Sequence, residues 1–210
     1  VKKHLVLVGD SVFDNKVYTG GEPSVTEHLR AALSEGDDLT LLAVDGSMTV
    51  DVAAQLQQLP TDATHVIVSL GGNDALDAID VLSEPASNVA EALVHLSRRT
   101  SAFEARYAAA IAPLRNRGLE LAVCTIYDGN LDGSERLPAH MALRTFNDFI
   151  IRYAALASIP VLDLRLICTE PEDYANPIEP SGRGGSKIAQ AILRLFGVLE
   201  RETPQAELHF

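Results

Sequence analysis

Short apolar, β-branched runs alternate with long amphipathic stretches along this chain, and few architectures bury both kinds of segment at once. The runs are residues 4–8, 39–44, 65–70, 119–125 and 161–164. Each is nearly continuous in apolar residues, as a strand covered on both faces must be. The pattern predicts an α/β fold with a central, parallel, five-stranded sheet between two helical layers. A chain of 210 residues buries about 70% of the surface its unfolded form exposes, so a single domain over residues 1–199 needs no metal or disulfide to hold it.

Helical spacing is present at 24–33 and 50–59, with Pro23 where a first turn tolerates a missing amide proton. Residues 75–82 read as helix until Glu84-Pro85 interrupts them. A long helix is predicted over 87–117 up to a Gly118 stop, kinked or shortened by Pro113. Further helices are expected at 138–157 and 186–196, and the polar tail 200–210 is expected to fray.

Seventeen basic against 29 acidic residues leave a formal charge of −12, which repels phosphate backbones and anionic lipid. Nucleic acid is therefore not an expected partner. The longest apolar run, residues 107–112, has six residues against the roughly 20 of a membrane span. Val1-Lys2-Lys3-His4 leads straight into a strand without a signal peptide's apolar region and cleavage site, so a cytoplasmic location is expected unless a leader preceded Val1. Cys124 and Cys168 lie in or just after strand-like segments, where reduced core thiols are favoured over a disulfide.

In an open parallel α/β sheet, ligands bind beyond the carboxyl ends of the strands. The first strand is followed by Gly9-Asp10-Ser11-Val12, the second by Asp45-Gly46-Ser47, and the third by Gly71-Gly72-Asn73-Asp74. A glycine ahead of Ser11 lets the chain turn sharply and projects the hydroxyl from the sheet's edge. An Asn amide such as that of Asn73 donates to an oxyanion without bringing a charge, an effect worth about 3 to 4 kcal/mol. Each segment alone also reads as an ordinary capped turn, but three on one edge are harder to ascribe to turn chemistry.

Taken together, these segments resemble the first three sequence blocks of the GDSL, or SGNH, hydrolase family, in order and on the expected strands. The resemblance spans about residues 4–196. It implies a three-layer flavodoxin-like fold with strand order 2-1-3-4-5, esterase or acylhydrolase activity and no organic cofactor. Ser11 takes the nucleophile's place. The Ser11 amide, the Gly46 amide and the Asn73 side chain take those of the oxyanion hole, with Asp10 as an accessory residue.

The fourth block departs from the family. Where Asp-x-x-His-Pro is usual, this chain has Asn176-Pro177-Ile178-Glu179-Pro180-Ser181, followed by Gly184 and Lys187 at the family's spacing. Glu179 thus stands in the histidine's position and Asn176 in the aspartate's. A registration on Asp173-Tyr174-Ala175-Asn176-Pro177 leaves the distance to Gly184 three residues too long.

Glu starts about two pKa units below His and is roughly 3 kcal/mol poorer as a proton acceptor. Burial raises a carboxylate by several units, and Pro177, Ile178 and Pro180 make its neighbourhood apolar. The Asn176 amide is positioned to hydrogen-bond the Glu179 carboxylate and hold its rotamer. The competing reading of Glu179 is a helix cap. Of the six histidines only His140 follows a strand's carboxyl end, at the start of a helix where a lone His is ordinarily solvated; it is the second accessory candidate beside Asp10. Asp128-Gly-Asn130-Leu-Asp132-Gly133 matches the opening of an EF-hand loop, but Ala139 replaces its final Glu, so no calcium is expected. Zinc-spaced His/Cys clusters, a Gly-x-x-x-x-Gly-Lys loop and a Gly-x-Ser-x-Gly elbow are all lacking.

The expectation is a serine esterase acting on small or medium carboxylic esters through an acyl-Ser11 intermediate, with Glu179 as an unusual base and activity rising into mildly alkaline pH. The rival is an inactive relative that holds a carbohydrate or acyl ligand in the same crevice.

Overall fold

The computed structural model describes residues 2–198 and the backbone of residues 207–208. The five apolar runs form β1 (His4–Gly9), β2 (Asp38–Leu41), β3 (His65–Ser69), β4 (Glu120–Cys124) and β5 (Val161–Leu162). They pair in parallel in the order β2-β1-β3-β4-β5, the expected α/β topology. A two-residue strand β6 (Glu207–Leu208) adds antiparallel to β5, so the sheet has six strands where five were predicted. The rest of the tail expected to fray, His209 included, lies outside the described residues.

Period-two alternation divides the strands between two cores. Leu5, Leu7, Ile67, Cys124 and Leu162 face a layer containing α1 (Val25–Ala32) and α6 (Gly182–Leu195). Val6, Val8, Val66, Val68, Val123 and Val161 face α2 (Val52–Leu56), α4 (Val89–Arg115) and α5 (Arg136–Ala157). Each such Leu or Val contributes about 1.5–3 kcal/mol by leaving water, which sets the register. Cys124 and Cys168 are buried free thiols. Among the described residues no helix is long and apolar enough to cross a membrane.

Several element ends differ from the sequence pattern. β2 stops at Leu41 because the Leu42 and Ala43 amides both donate to the Leu7 carbonyl, 2.8 and 2.9 Å, which ends the regular ladder. β5 stops at Leu162 because Asp163 caps a 3-10 turn, Leu164–Leu166. α4 runs through Pro113 and ends at Arg115, two residues short of the predicted end. α6 starts at Gly182, four residues before the predicted start, capped by Ser181 through the Gly184 amide. Gly184 is required there, since a Cβ would lie 2.1 Å from the Asp173 carbonyl oxygen.

Candidate active site

At the end of β1, Gly9 adopts φ +130°, and a Cβ would fall 1.8 Å from the Ser69 carbonyl oxygen of β3. Glycine is the one residue that fits both the conformation and the approach. Gln55 of α2 then locks this corner, its Oε1 accepting the Gly9 amide at 2.8 Å and its Nε2 donating to the Gly9 carbonyl at 2.8 Å. The same Nε2 donates to Ser47 Oγ at 3.1 Å, tying the connection after β2 to the connection after β1.

Ser11, on the turn that follows, is buried, and its hydroxyl donates to Glu179 Oε1 at 3.0 Å. Glu179 arrives from the loop between β5 and α6, which is held from four sides. Tyr127 donates its hydroxyl to the Ile178 carbonyl at 2.6 Å, and the Asn130 amide donates to the Pro177 carbonyl at 2.8 Å. The buried Asn15 side chain donates to the Pro180 carbonyl at 3.1 Å while accepting the Val25 amide at 3.0 Å. Asn176 Oδ1 accepts the amides of Ile178 and Glu179, each at 2.9 Å.

Asn176 therefore grips the turn's backbone and not the Glu179 carboxylate, contrary to the expected side-chain pairing. Asn-Pro followed by two free amides favours an Asx turn over a longer reach. Glu179 Oε2 is buried and has no hydrogen-bond partner among the described residues. Nor is Glu179 a helix cap, since Ser181 fills that place. Burial pushes the Glu179 carboxyl up to about 7, against the lowering effect of the Ser11 hydrogen bond, and the Asp45 charge adds to the rise. Asp10, also buried, accepts the Val12 amide at 3.2 Å and is likewise raised to about 7 by desolvation, with Glu179 contributing.

Asn73 lies in the first turn of α3 (Gly72–Asp77) and donates from Nδ2 to the Ser47 carbonyl at 2.9 Å. Beneath it the buried Asp74 accepts the Thr49 amide and hydroxyl at 2.9 and 2.7 Å, and pairs with Arg106 at 3.3 Å. That set fixes the helix start and hence the direction of Asn73.

One cavity of about 140 Å³ brings Asp10, Ser11, Asn73, His140 and Glu179 to a common wall. Gly46 and Asn176 are not on that wall; Gly46 sits exposed in the turn after β2, with φ +78°. His140 departs from the solvated helix start expected of it. α5 begins two residues earlier than predicted, at Arg136, and places the ring on the cavity with a buried Nε2 that has no partner among the described residues. Asp173 serves structure, pairing with Lys187 at 2.6 Å and Arg183 at 3.4 Å.

The Asp128–Gly133 loop, read as an incomplete EF-hand, supplies instead the backbone amide that clamps Pro177. Among the described residues one trio, His4, Asp38 and Asp62, brings metal-ligand atoms within 4.8 Å of one another. Its atoms are already engaged, with His4 bonded to Asp62 at 3.0 Å and to Thr40 at 2.8 Å, and Asp38 paired with Lys2.

Residues 7–185 match the family model of the GDSL-like lipases/acylhydrolases. The chain belongs to that family. No curated protein matches it, but solved structures share its fold. An extracellular lipase from Streptomyces rimosus is 19% identical, with 91% of this chain and 98% of that one covered and a TM-score of 0.66. A phospholipase A1 from Streptomyces albidoflavus NA297 is 17% identical over the same shares, with a TM-score of 0.70. The acetylxylan esterase Axe2 of Geobacillus stearothermophilus is 16% identical, covering 95% and 97%, with a TM-score of 0.66. As a GDSL-like chain it thus shares a family and a fold with hydrolases.

Sequence reasoning missed the residues that support this GDSL-like site, namely Gln55, Asn15, Asp74 and Tyr127. Gln55 left a trace, as a polar residue at helical spacing with buried Val52 and Leu56.

Proposed function

We propose that this protein is a serine esterase that cleaves small or medium carboxylic esters through an acyl-Ser11 intermediate. The observation that carries the proposal is the 3.0 Å hydrogen bond from Ser11 Oγ to Glu179 Oε1, within the reach a general base needs. Ionised Glu179 accepts the hydroxyl proton as Ser11 Oγ attacks the ester carbonyl. Negative charge gathers on the carbonyl oxygen, where the Asn73 amide proton not used by Ser47 and the backbone amide of Ser11 donate; Gly46, off the cavity wall, is left out of the donor set. On collapse, the protonated Glu179 gives its proton to the departing alkoxide. Water, deprotonated by Glu179, then attacks the acyl carbonyl and releases the acid and free Ser11.

The elevation of Glu179 to about 7 supports this role, because a carboxylate near neutrality both accepts and returns a proton at working pH. Turnover of p-nitrophenyl acetate by wild type, Ser11→Ala, Glu179→Gln and His140→Ala tests the reading. Activity should vanish with Ser11, fall by about 10²–10⁴-fold with Glu179 and survive loss of His140. A wild-type rate equal to that of Ser11→Ala would favour the second reading, a binder of acyl or carbohydrate ligands, which the missing histidine favours.

A further inference from the structure

The polar groups of the Ser11 cavity are gathered beside the hydroxyl, at Asp10, Ser69, Asn73 and Glu179. Away from them the wall is mainly aliphatic and aromatic, and it comes from five parts of the fold. Leu70 follows β3, Leu76 lies on α3, Leu82 on the 3-10 stretch Ile79–Ser83, Leu96 on α4, and Leu143 and Phe146 on α5. A sugar ring would strand its hydroxyls against such a wall, each losing a water hydrogen bond without replacement. Of the polar side chains on the remaining wall, Asp128 belongs to the β4–α5 connection that clamps the Glu179 loop, and His140 stands in the second turn of α5.

We infer that the cavity is an acyl pocket for a linear aliphatic chain of about six to eight carbons, its carbonyl end at Ser11 and its methyl end among Leu82, Leu96 and Phe146. The inference rests on the esterase reading and adds the substrate's acyl class. The volume sets the lower figure, since an apolar cavity of about 150 Å³ accommodates benzene, a six-carbon ligand, and this one measures about 140 Å³; the cavity is open to solvent, which leaves room for the further carbons. Leu96 and Leu82 stand on elements that carry none of the polar site residues, which makes them the residues that set chain length.

The test is a series of p-nitrophenyl esters from acetate to dodecanoate. In wild type, kcat/KM should climb about fourfold per added methylene as far as hexanoate or octanoate, then fall at decanoate and beyond. Leu96→Trp and Leu82→Trp should each cut the octanoate-to-acetate ratio of kcat/KM by about tenfold, the equivalent of one to two lost methylenes. Leu96→Ala should move the optimum to longer chains. Melting temperatures identify any variant that has not folded.

A Ser11-dependent profile that peaks at acetate overturns the acyl pocket and leaves the esterase reading standing. If no ester is turned over faster than by Ser11→Ala, the esterase reading fails. Calorimetric titration with octanamide then decides the pocket. Binding weakened by Leu96→Trp or Leu82→Trp supports it, and absence of binding ends it.

Discussion

Ser11 and Glu179, 168 positions apart, meet through a single buried hydrogen bond of 3.0 Å. Neither local segment enforces this contact. It depends on Gln55 holding the β1 corner and on Tyr127, Asn130 and Asn15 holding the loop that carries the carboxylate.

The pH profile follows from the Glu179 carboxyl, held near 7 by burial. In the proposed mechanism its ionised form is the base, so kcat/KM should fall about tenfold per pH unit below about 7 and level off above it. Glu179→Gln removes that limb along with most of the rate. Initial rates between pH 5 and 9 check this; a flat wild-type profile would exclude Glu179 as the base.

Asn73→Ala should lower kcat by about 10²–10³-fold with a smaller change in KM, since the donor acts on charge that develops only as the carbonyl is attacked. The Ser47 carbonyl, which accepts from Asn73 at 2.9 Å, loses its partner as well. Steady-state kinetics on one ester separate the two parameters.

Gln55→Leu keeps the volume but removes the 2.8 Å partner of the buried Gly9 amide, while the Gly9 carbonyl, which also loses Gln55, keeps the Val44 amide at 3.1 Å. An unsatisfied buried group costs about 1–3 kcal/mol, so a loss of that size is expected in urea denaturation. A change below about 0.5 kcal/mol would mean that water or backbone adjustment replaces the side chain.

Asp10 is raised from 3.8 to about 7, chiefly by desolvation. The folded protein therefore holds a proton that the unfolded chain releases from about pH 4 upward, and this contribution to stability is lost as pH rises to about 7. Asp10→Asn, which keeps an acceptor for the Val12 amide, should match wild type near pH 4 and be more stable at pH 8 by up to about 4 kcal/mol. Thermal melts at the two pH values read the difference; an equal effect at both would show that the Asp10 charge is not the cause.

The strands were legible because each is a continuous apolar run, and Ser11 and Asn73 because each follows such a run beside glycine. β6 was not, since Glu207–Leu208 is two residues inside a polar tail. The start of α6 was hidden by Gly182, Gly184 and Gly185, which read locally as helix breakers and are set by close packing against Glu22, Asp173 and Val25. Asn176 and His140 show the limit at the site. Chain spacing identified both, but only the fold decided that one turns to its own loop's backbone and the other to the cavity.

Asn176 occupying itself with two main-chain amides has a chemical corollary. An imidazole relay needs a neighbouring acid to fix its tautomer and to balance the imidazolium it becomes. A carboxylate has no tautomer to choose and turns electrically neutral on taking a proton, so the position beside it is released from electrostatic duty. The two replacements in this block suit one another: once glutamate stands at 179, an aspartate at 176 would oppose its ionisation by like charge, and an uncharged turn-former is the more compatible occupant.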